Sequence, residues 1–341
     1  MKILSLLIPG LLGPLPELNN SNMALPECRV LNTWLARAEK KVTNSNTYYK
    51  QLAELFGIQN NYSIARASAK YDQCDYESGF CYRADPVHFK ADIDHAILFD
   101  CQQLNIKQNE AESLVEYFNQ HFSADGLKLV AANSNRWYLQ SPTPLDINTT
   151  CLGDAIGRNV SHFLPAGKDA LNWRKLLNET QMLFHSHQLN EQRENKGDLT
   201  INSLWLWGEG EPLSDFSHNF KWIMSEEPVA AGLAMIANCE QLPMAESVDD
   251  IVDFKSDGLI VIDDLISPVN YGDVAYWHDE VMKLCQQWLQ PLDRLLKNRK
   301  IEQINLYTAN GYLFVVSANK LLKFWRRPVP INNLMNMDAH V

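Results

Sequence analysis

The chain has 341 residues, of which 46% are hydrophobic and 21% are charged, and its formal net charge is −11. This composition is typical of a soluble globular protein with room for two domains. The negative charge argues against a nucleic-acid partner, which normally meets a basic face. No apolar stretch approaches the roughly 18 residues that a membrane helix requires, so no membrane contact is expected.

The first predicted element is a buried strand over residues 3–8. Pro9 and Gly10 interrupt this apolar run, and no small-residue cleavage motif follows it. We therefore expect a strand of a parallel sheet and not a secretory signal. The seven cysteines are dispersed and form no zinc-type pair, which predicts free thiols in a reducing cytoplasm.

Helical and strand patterns alternate in the following residues. Helices are predicted at 27–41 and at 46–58, the second ended by Gly57. A strand at 78–89 is expected to run into a turn marked by Pro86. A small α+β layer should follow, with a strand at 95–100, a helix at 107–122, a hairpin over 126–142 and one long helix at 168–195.

The last part of the chain returns to buried strands separated by helices. Strands are expected within 202–212, 257–265 and 304–316, and a helix from residue 274 as far as Pro291. This order predicts an α/β protein with a mostly parallel sheet between helices. Ligands of such sheets bind beyond the carboxyl ends of the strands.

Few residues suggest chemistry when taken alone. Asp263 and Asp264 end a strand and could bind a hard cation, although one acidic pair is not a two-metal centre. Asn190 and Arg193 share a helix face and could hold a carboxylate or phosphate, or could form a hydrogen-bonded pair at a helix end. The residues by themselves give no complete catalytic set.

Three segments together resemble one protein family. They are GFCYRADPVHF, LLNETQMLFHSHQLNEQRENKGDLTINSLWLWGEG and FWRRPVP. These segments look like the cofactor-independent phosphoglycerate mutases of the archaeal type, within the alkaline phosphatase superfamily. The bacterial branch named for regulation of pathogenicity factors, the RpfE group, shows the closest resemblance.

The resemblance implies an alkaline phosphatase-like core carrying an inserted α+β cap domain. The core would comprise residues 1–83 and 200–341, and the cap residues 84–199. In the active family, two divalent ions and a phosphorylated Ser or Thr move a phosphoryl group between positions of glycerate. Ser21 is the nearest loose match to that nucleophile.

The metal ligands of the family are mostly missing from this chain. Pro9-Gly10 stands where the family has Asp-Gly, and Asn310 and Gly311 replace an Asp-His pair. Two histidine positions fall near residues 268–269 and 324–326, where this chain has no histidine. The weak metal candidates that remain are Asp263, Asp264 and Asp273. No cofactor is therefore expected, or Mn, Zn or Mg if a rearranged site is active.

Substrate contacts are better matched than metal ligands. By resemblance, the predicted substrate-binding residues are Arg83, Asn190, Arg193, Asn202, Gly208 and Gly210. Asp85 stands near an asparagine of the family. Some of these residues could instead serve the fold of the cap.

Three functions remain open. The first is a degenerate mutase-like protein with a regulatory role, which binds a small phosphorylated or carboxylate ligand in its cleft. The second is an active phosphoglycerate mutase or phosphomonoester enzyme with a rearranged site, and the third is a structural scaffold. The sequence names no protein partner.

Overall fold

A computed structural model describes residues 2–13, 24–58, 62–74, 79–92, 95–211, 216–251, 256–328 and 331. Its strands in chain order are β1 (Ile3–Leu7), β2 (Glu39–Val42), β3 (Phe80–Ala91), β4 (Ala96–Phe99), β5 (Lys128–Ala131), β6 (Trp137–Ser141), β7 (Ser203–Trp207), β8 (Trp222–Met224), β9 (Glu240–Leu242), β10 (Gly258–Val261), β11 (Gln303–Tyr307) and β12 (Tyr312–Ser317). Its helices are α1 (Arg29–Arg37), α2 (Tyr48–Phe56), α3 (Ile64–Tyr71), α4 (Cys101–Leu104), α5 (Gln108–His121), α6 (Leu152–Ala155), α7 (Ala170–His185), α8 (Gln188–Lys196), α9 (Pro228–Ile236), α10 (Ile266–Tyr271), α11 (Val274–Leu284), α12 (Gln290–Lys297) and α13 (Ala318–Leu321). None of these helices is long and apolar enough to span a bilayer.

The chain divides into two compact units. The terminal unit contains residues 1–59 and 215–341, and the inner unit contains residues 60–214. The expected boundary between residues 83 and 84 falls within β3, which pairs with β6, β7 and β4 inside the inner unit. A boundary there would break one strand in two. The role of the inner unit as a cap over an active site stays a prediction.

The terminal unit is built on a seven-stranded sheet in the order β2-β12-β11-β1-β10-β8-β9. Five neighbouring strands, from β11 to β9, run parallel, whereas β12 and β2 are antiparallel additions at one side. Leu6 and Leu7 of the central strand β1 are fully buried, as its unbroken apolar run requires. The predicted α/β class with a mostly parallel sheet is confirmed.

The inner unit is an α+β layer. Strands β4, β3, β6 and β5 form an antiparallel sheet, and β7 pairs with β3. Its core includes the fully buried rings of Phe118, Trp137 and Phe184, which come from α5, β6 and α7. Burial of such large rings contributes strongly to the stability of a protein core.

Two strand assignments differ from the sequence prediction. The predicted helix over 27–41 ends at Arg37, and the next residues form β2, an edge strand paired with β12. The strand at 78–89 does not turn at Pro86 but continues to Ala91, with Pro86 opposite Leu204 of β7. In both places, pairing with a distant strand overrides the local pattern.

Two long predicted helices are also interrupted. The helix over 168–195 is two helices, because the side chain of His187 accepts a hydrogen bond from the N–H of Leu189 and starts α8. The helix from residue 274 does not end at Pro291. A π-helical turn at Cys285–Leu289 places Pro291 in the first turn of α12, where its missing N–H costs little.

The prediction that all cysteines are free thiols is wrong for one pair. Cys28 precedes α1, Cys285 begins the π-helical turn, and the two form a disulfide although 257 residues separate them. Both side chains are buried in the core of the terminal unit. The thiol argument for a reducing compartment therefore fails, and a cytoplasmic location stays a prediction.

Candidate functional site

The carboxyl ends of the parallel strands form one edge of the terminal sheet, which we call the carboxyl edge. The residues that follow β8 and β10 place Glu227 and Asp263 there, and α2 contributes Tyr48. Main-chain pairing aligns the strand ends, since the N–H of Ile262 donates to the carbonyl of Leu7 at 3.0 Å. Ligands of parallel sheets bind at such an edge.

Tyr48 and Glu227 meet although they lie 179 residues apart. The Tyr48 hydroxyl donates to Oε2 of Glu227 at 2.8 Å, and the same oxygen accepts the N–H of Ala230 at 2.7 Å. Glu227 thus caps α9 at the position before Pro228. Burial raises the pKa of Tyr48 well above 10.0, with further contributions from the charges of Glu227 and Asp263. The phenol therefore stays a hydrogen-bond donor at neutral pH.

The carboxyl group of Asp263, at the carboxyl edge, has a pKa that is shifted towards neutrality. Burial raises the pKa of its carboxyl from 3.8 to about 7, and the neighbouring charges of Glu227 and Asp264 add to this increase. A carboxyl with a pKa near neutrality can both give and accept a proton. Perturbed groups of this kind at strand ends are typical of functional sites.

The described part of the loop after β1, which ends at residue 13, supplies packing and no metal donor side chain. Gly10 has a φ of +80°, and a Cβ on it would lie 2.7 Å from the carbonyl oxygen of Leu265. Its own carbonyl accepts the indole N–H of Trp277 at 2.9 Å. The preceding Pro9 offers no ligand, so Pro9-Gly10 cannot play the part of the Asp-Gly pair that the resemblance places there.

The remaining family metal positions also lack donors or use them locally. Asp273 accepts the N–H of Tyr276 at 2.9 Å and caps α11, whereas Asp264 is exposed. At the end of β11, the Thr308 hydroxyl donates to the side-chain oxygen of Asn310. Ser21, the loose nucleophile candidate, lies outside the described residues.

A two-ion centre requires about six donor side chains that converge from several loops. Among the residues that the structure describes, no group of three or more His, Cys, Asp or Glu side chains could hold a metal ion. Oε2 of Glu227 is already engaged by two donors. The described residues of the carboxyl edge therefore do not fit the two-ion centre of the mutase family.

In the inner unit, Arg83 lies in a buried polar network. Its guanidinium donates to Oδ1 of Asp85 at 2.7 and 3.1 Å, and Oδ2 of Asp85 accepts the indole N–H of Trp207 at 2.6 Å. Arg83 also donates to the Ser68 hydroxyl at 3.3 Å. A carboxylate thus already neutralises this predicted anion-binding side chain, which is 7% exposed.

The side chains of Asn190 and Arg193 form hydrogen bonds to the segment that follows α8. The Asn190 amide bonds both main-chain groups of Ile201 and the carbonyl of Phe184, at 2.8 to 2.9 Å. The Arg193 guanidinium donates to Glu110 at 2.7 Å and to two main-chain carbonyls. Both side chains are almost completely buried. Of the two readings left open by the sequence, this geometry favours a role in the fold.

The other predicted substrate-binding residues also contact the chain itself. Asn202 exchanges two hydrogen bonds with the main chain of Phe89. The carbonyl of Gly208 accepts the N–H of Ala65 at 3.0 Å, and a Cβ on Gly210 would lie 2.3 Å from the carbonyl carbon of Tyr62. Small residues at these two positions allow β7 to approach the start of α3. Substrate contact by any of the six residues stays a prediction.

Part of the chain is similar to curated 2,3-bisphosphoglycerate-independent phosphoglycerate mutases. The mutase of Methanosarcina mazei is 26% identical over 137 residues, which is 39% of this chain and 34% of that enzyme. Mutase 2 of Methanothermobacter thermautotrophicus is 26% identical over 140 residues, 38% of this chain and 35% of that enzyme. The matched stretch thus covers about a third of these relatives. No protein-family model matches the chain.

Solved structures match over most of the chain. The PH0037 protein from Pyrococcus horikoshii aligns with a TM-score of 0.52 at 12% identity, over 93% of this chain and 87% of that one. A cofactor-independent phosphoglycerate mutase from Thermoplasma acidophilum gives 0.42 at 12% identity, over 93% and 90%. The first of these matches shows the shared fold, and the curated relatives support the mutase-like part of the resemblance. The RpfE branch stays a prediction.

The curated relatives correct one expectation. We expected no cofactor, but the chain is similar to mutases of a class that uses metal ions. The absence of a metal requirement is therefore withdrawn as a prediction.

Tyr48 and Glu227 were not found from the sequence, where Glu227-Pro228 indicates only the start of a helix.

Proposed function

We propose that this chain is a degenerate phosphoglycerate-mutase-like protein that binds a small polar ligand at its carboxyl edge and does not interconvert phosphoglycerates. The similarity to curated mutases supports the mutase-like fold. The proposed loss of turnover rests on one observation. The described residues of the carboxyl edge do not bring together the donor side chains of the family's two-ion centre.

The charge of the carboxyl edge bears on the ligand. Glu227, Asp263 and Asp264 are all acidic, and their mutual repulsion contributes to the raised pKa of Asp263. An edge of this kind repels a phosphate, whereas the protonated carboxyl of Asp263 can donate a hydrogen bond to a neutral oxygen atom. A hydroxylated or cationic small molecule therefore fits the edge better than the phosphorylated or carboxylate ligand expected from the sequence.

The test is a coupled assay of phosphoglycerate interconversion by the full chain, supplied in turn with Mg²⁺, Mn²⁺ and Zn²⁺. The Methanosarcina mazei mutase serves as the positive control. We expect no conversion above that of a mock preparation with any ion. Conversion that is lost in Asp263→Asn would contradict the proposal.

A second candidate is an active enzyme with a rearranged site, and the pKa of Asp263 favours it. A carboxyl that titrates near pH 7 at a strand end suits general acid–base catalysis. This candidate predicts phosphomonoester turnover whose pH profile has an inflection near that pKa. The inflection should disappear in Asp263→Asn and persist in Asp125→Asn, an exposed carboxyl of the inner unit.

A further inference from the structure

A short segment after α13 carries several exposed apolar side chains. Leu322, Phe324 and Trp325 are 70%, 78% and 68% exposed, and the two rings meet edge to face with centroids 5.4 Å apart. We call residues 322–327 the basic tip. Three large exposed apolar side chains thus lie within four residues, and exposed apolar patches on a protein surface mark interaction sites.

Cations surround these side chains. Arg326 and Arg327 are exposed, and Lys323 is half-buried. Arg37, at the end of α1, donates to the carbonyls of Leu321 and Arg326 at 2.6 and 3.1 Å and so lies beside the tip. The sequence has no Asp or Glu between residues 303 and 337, although the whole chain has a net charge of −11. The nearby acid Glu39 pairs with Lys320 at 2.6 Å and with Lys41 at 3.5 Å. The tip thus combines positive charge with an otherwise acidic chain.

The tip lies at the opposite end of the sheet from the carboxyl edge. α13 follows β12 directly, and the last residue of β12, Ser317, pairs with Gln303 at the start of β11. Since β11 is one of the parallel strands, its start marks their amino ends. The tip is thus separate from the candidate site around Asp263.

We propose that the basic tip binds the surface of an anionic phospholipid membrane. Tryptophan and other apolar side chains insert at the interface between lipid headgroups and acyl chains, and neighbouring Lys and Arg contact anionic headgroups. The tip has this combination in consecutive residues, with Trp325 next to Arg326 and Phe324 next to Lys323. This inference departs from the expectation of no membrane contact, because the sequence alone did not reveal which side chains are exposed.

The exposure of the apolar side chains favours a lipid surface over an acidic protein. Side chains that are about 70% exposed project from the surface, and a partner that deforms around them can bury more of each side chain than a rigid partner can. A bilayer offers that property, and its anionic headgroups complement the cations. The negative charge of the rest of the chain would orient the tip towards the membrane and repel other faces.

The experiment is vesicle flotation of the full chain with phosphatidylcholine alone and with phosphatidylcholine mixed with phosphatidylglycerol. Binding is expected only with the anionic vesicles and should weaken as salt is raised. The variants Phe324→Ala/Trp325→Ala and Arg326→Glu/Arg327→Glu should each reduce partitioning by roughly tenfold or more. The matched control Leu171→Ala/Met182→Ala removes equally exposed side chains from the inner unit and should bind like the wild type.

Thermal unfolding checks that the tip variants remain folded, which their exposure predicts. Equal partitioning of the wild type and the tip variants would overturn the proposal, as would failure of the wild type to float with anionic vesicles. The same samples are also tested against a polyglutamate peptide and a single-stranded oligonucleotide. Binding to either of these in place of vesicles would contradict a lipid partner.

Discussion

Buried polar groups have different surroundings in the two units of the molecule. In the inner unit, the charge of Arg193 is balanced by Glu110, and the Asn190 amide bonds main-chain groups of Phe184 and Ile201. At the carboxyl edge of the terminal unit, burial and the neighbouring carboxyl groups both disfavour the ionisation of Asp263. The first arrangement satisfies the polar groups that the fold buries, and the second costs stability when Asp263 is charged.

This difference teaches how to interpret the resemblance to mutases. Asn190 and Arg193 lie in one of the segments that carry the resemblance, yet in the structure their side chains bond buried groups of the chain itself. A motif can therefore indicate a shared fold while the chemistry of the site has changed. A side chain whose surroundings disfavour its charged form, such as Asp263, is a better indicator of a functional site.

The largest expected effect is that of Arg193→Met. The change leaves the Glu110 carboxylate buried without its cation and two carbonyls without a donor, so we expect a loss of about 3–5 kcal/mol in the free energy of unfolding. Urea unfolding monitored by circular dichroism measures it. Arg174→Met, at an exposed position of α7, should change stability by about 0.5 kcal/mol or less. Equal losses of unfolding free energy in Arg193→Met and Arg174→Met would show that Arg193 has no special role in the fold.

Asn190→Ala should follow with a loss of about 1–3 kcal/mol, because buried groups of Phe184 and Ile201 lose their partners. The exposed Asn195→Ala on the same helix is the control for helix propensity. Amide hydrogen exchange at Ile201 offers a second readout, since its N–H donates to Asn190. Unchanged protection there would contradict this account.

The pH dependence of stability tests the carboxyl edge. The pKa of Asp263 in the folded state, about 7, lies above its ordinary value of 3.8, so the folded state holds the proton over a range in which the unfolded chain releases it. This stabilisation is complete below pH 3.8 and is lost as the pH rises through about 7. Asp263→Asn should flatten this part of the profile and stabilise the protein on the order of 1–3 kcal/mol at about pH 8.

Denaturant unfolding across this pH range gives the measurement, with the exposed Asp125→Asn as the control. A profile that Asp263→Asn leaves unchanged would show that this carboxyl titrates normally. The proposed difference between the buried polar groups of the two units would then have no support.

The smallest expected effect is that of Tyr48→Phe. Removal of the hydroxyl deletes the 2.8 Å hydrogen bond to Glu227 and should cost about 1 kcal/mol. Tyr276→Phe, at a position 49% exposed, should have no measurable effect. A stabilising Tyr48→Phe change would indicate that the phenol does not satisfy the Glu227 carboxylate.

Local patterns predicted much of the fold. The strand at residues 3–8, the helix that ends at Gly57 and the final strand pair depend on burial and backbone conformation within one segment. The break at His187 and the continuation of β3 through Pro86 depend on partners elsewhere in the chain. Local spacing therefore misses them.

The site was less predictable than the fold. Asp263 stood out because acids follow an apolar strand, but its partners Glu227 and Tyr48 come from distant segments. The Cys28–Cys285 disulfide joins residues with no spacing signal for the same reason. Contacts of this kind need the tertiary structure, because neither residue type nor spacing marks the pair.

The central claim is that the mutase-like fold persists without phosphoglycerate interconversion. Its most direct test is phosphorus NMR of the full chain mixed in equal amount with one phosphoglycerate isomer, in the presence of Mg²⁺ and then Zn²⁺. We predict that the signal of the starting isomer persists unchanged. Appearance of the other isomer, at a rate that falls in Asp263→Asn, would contradict the claim.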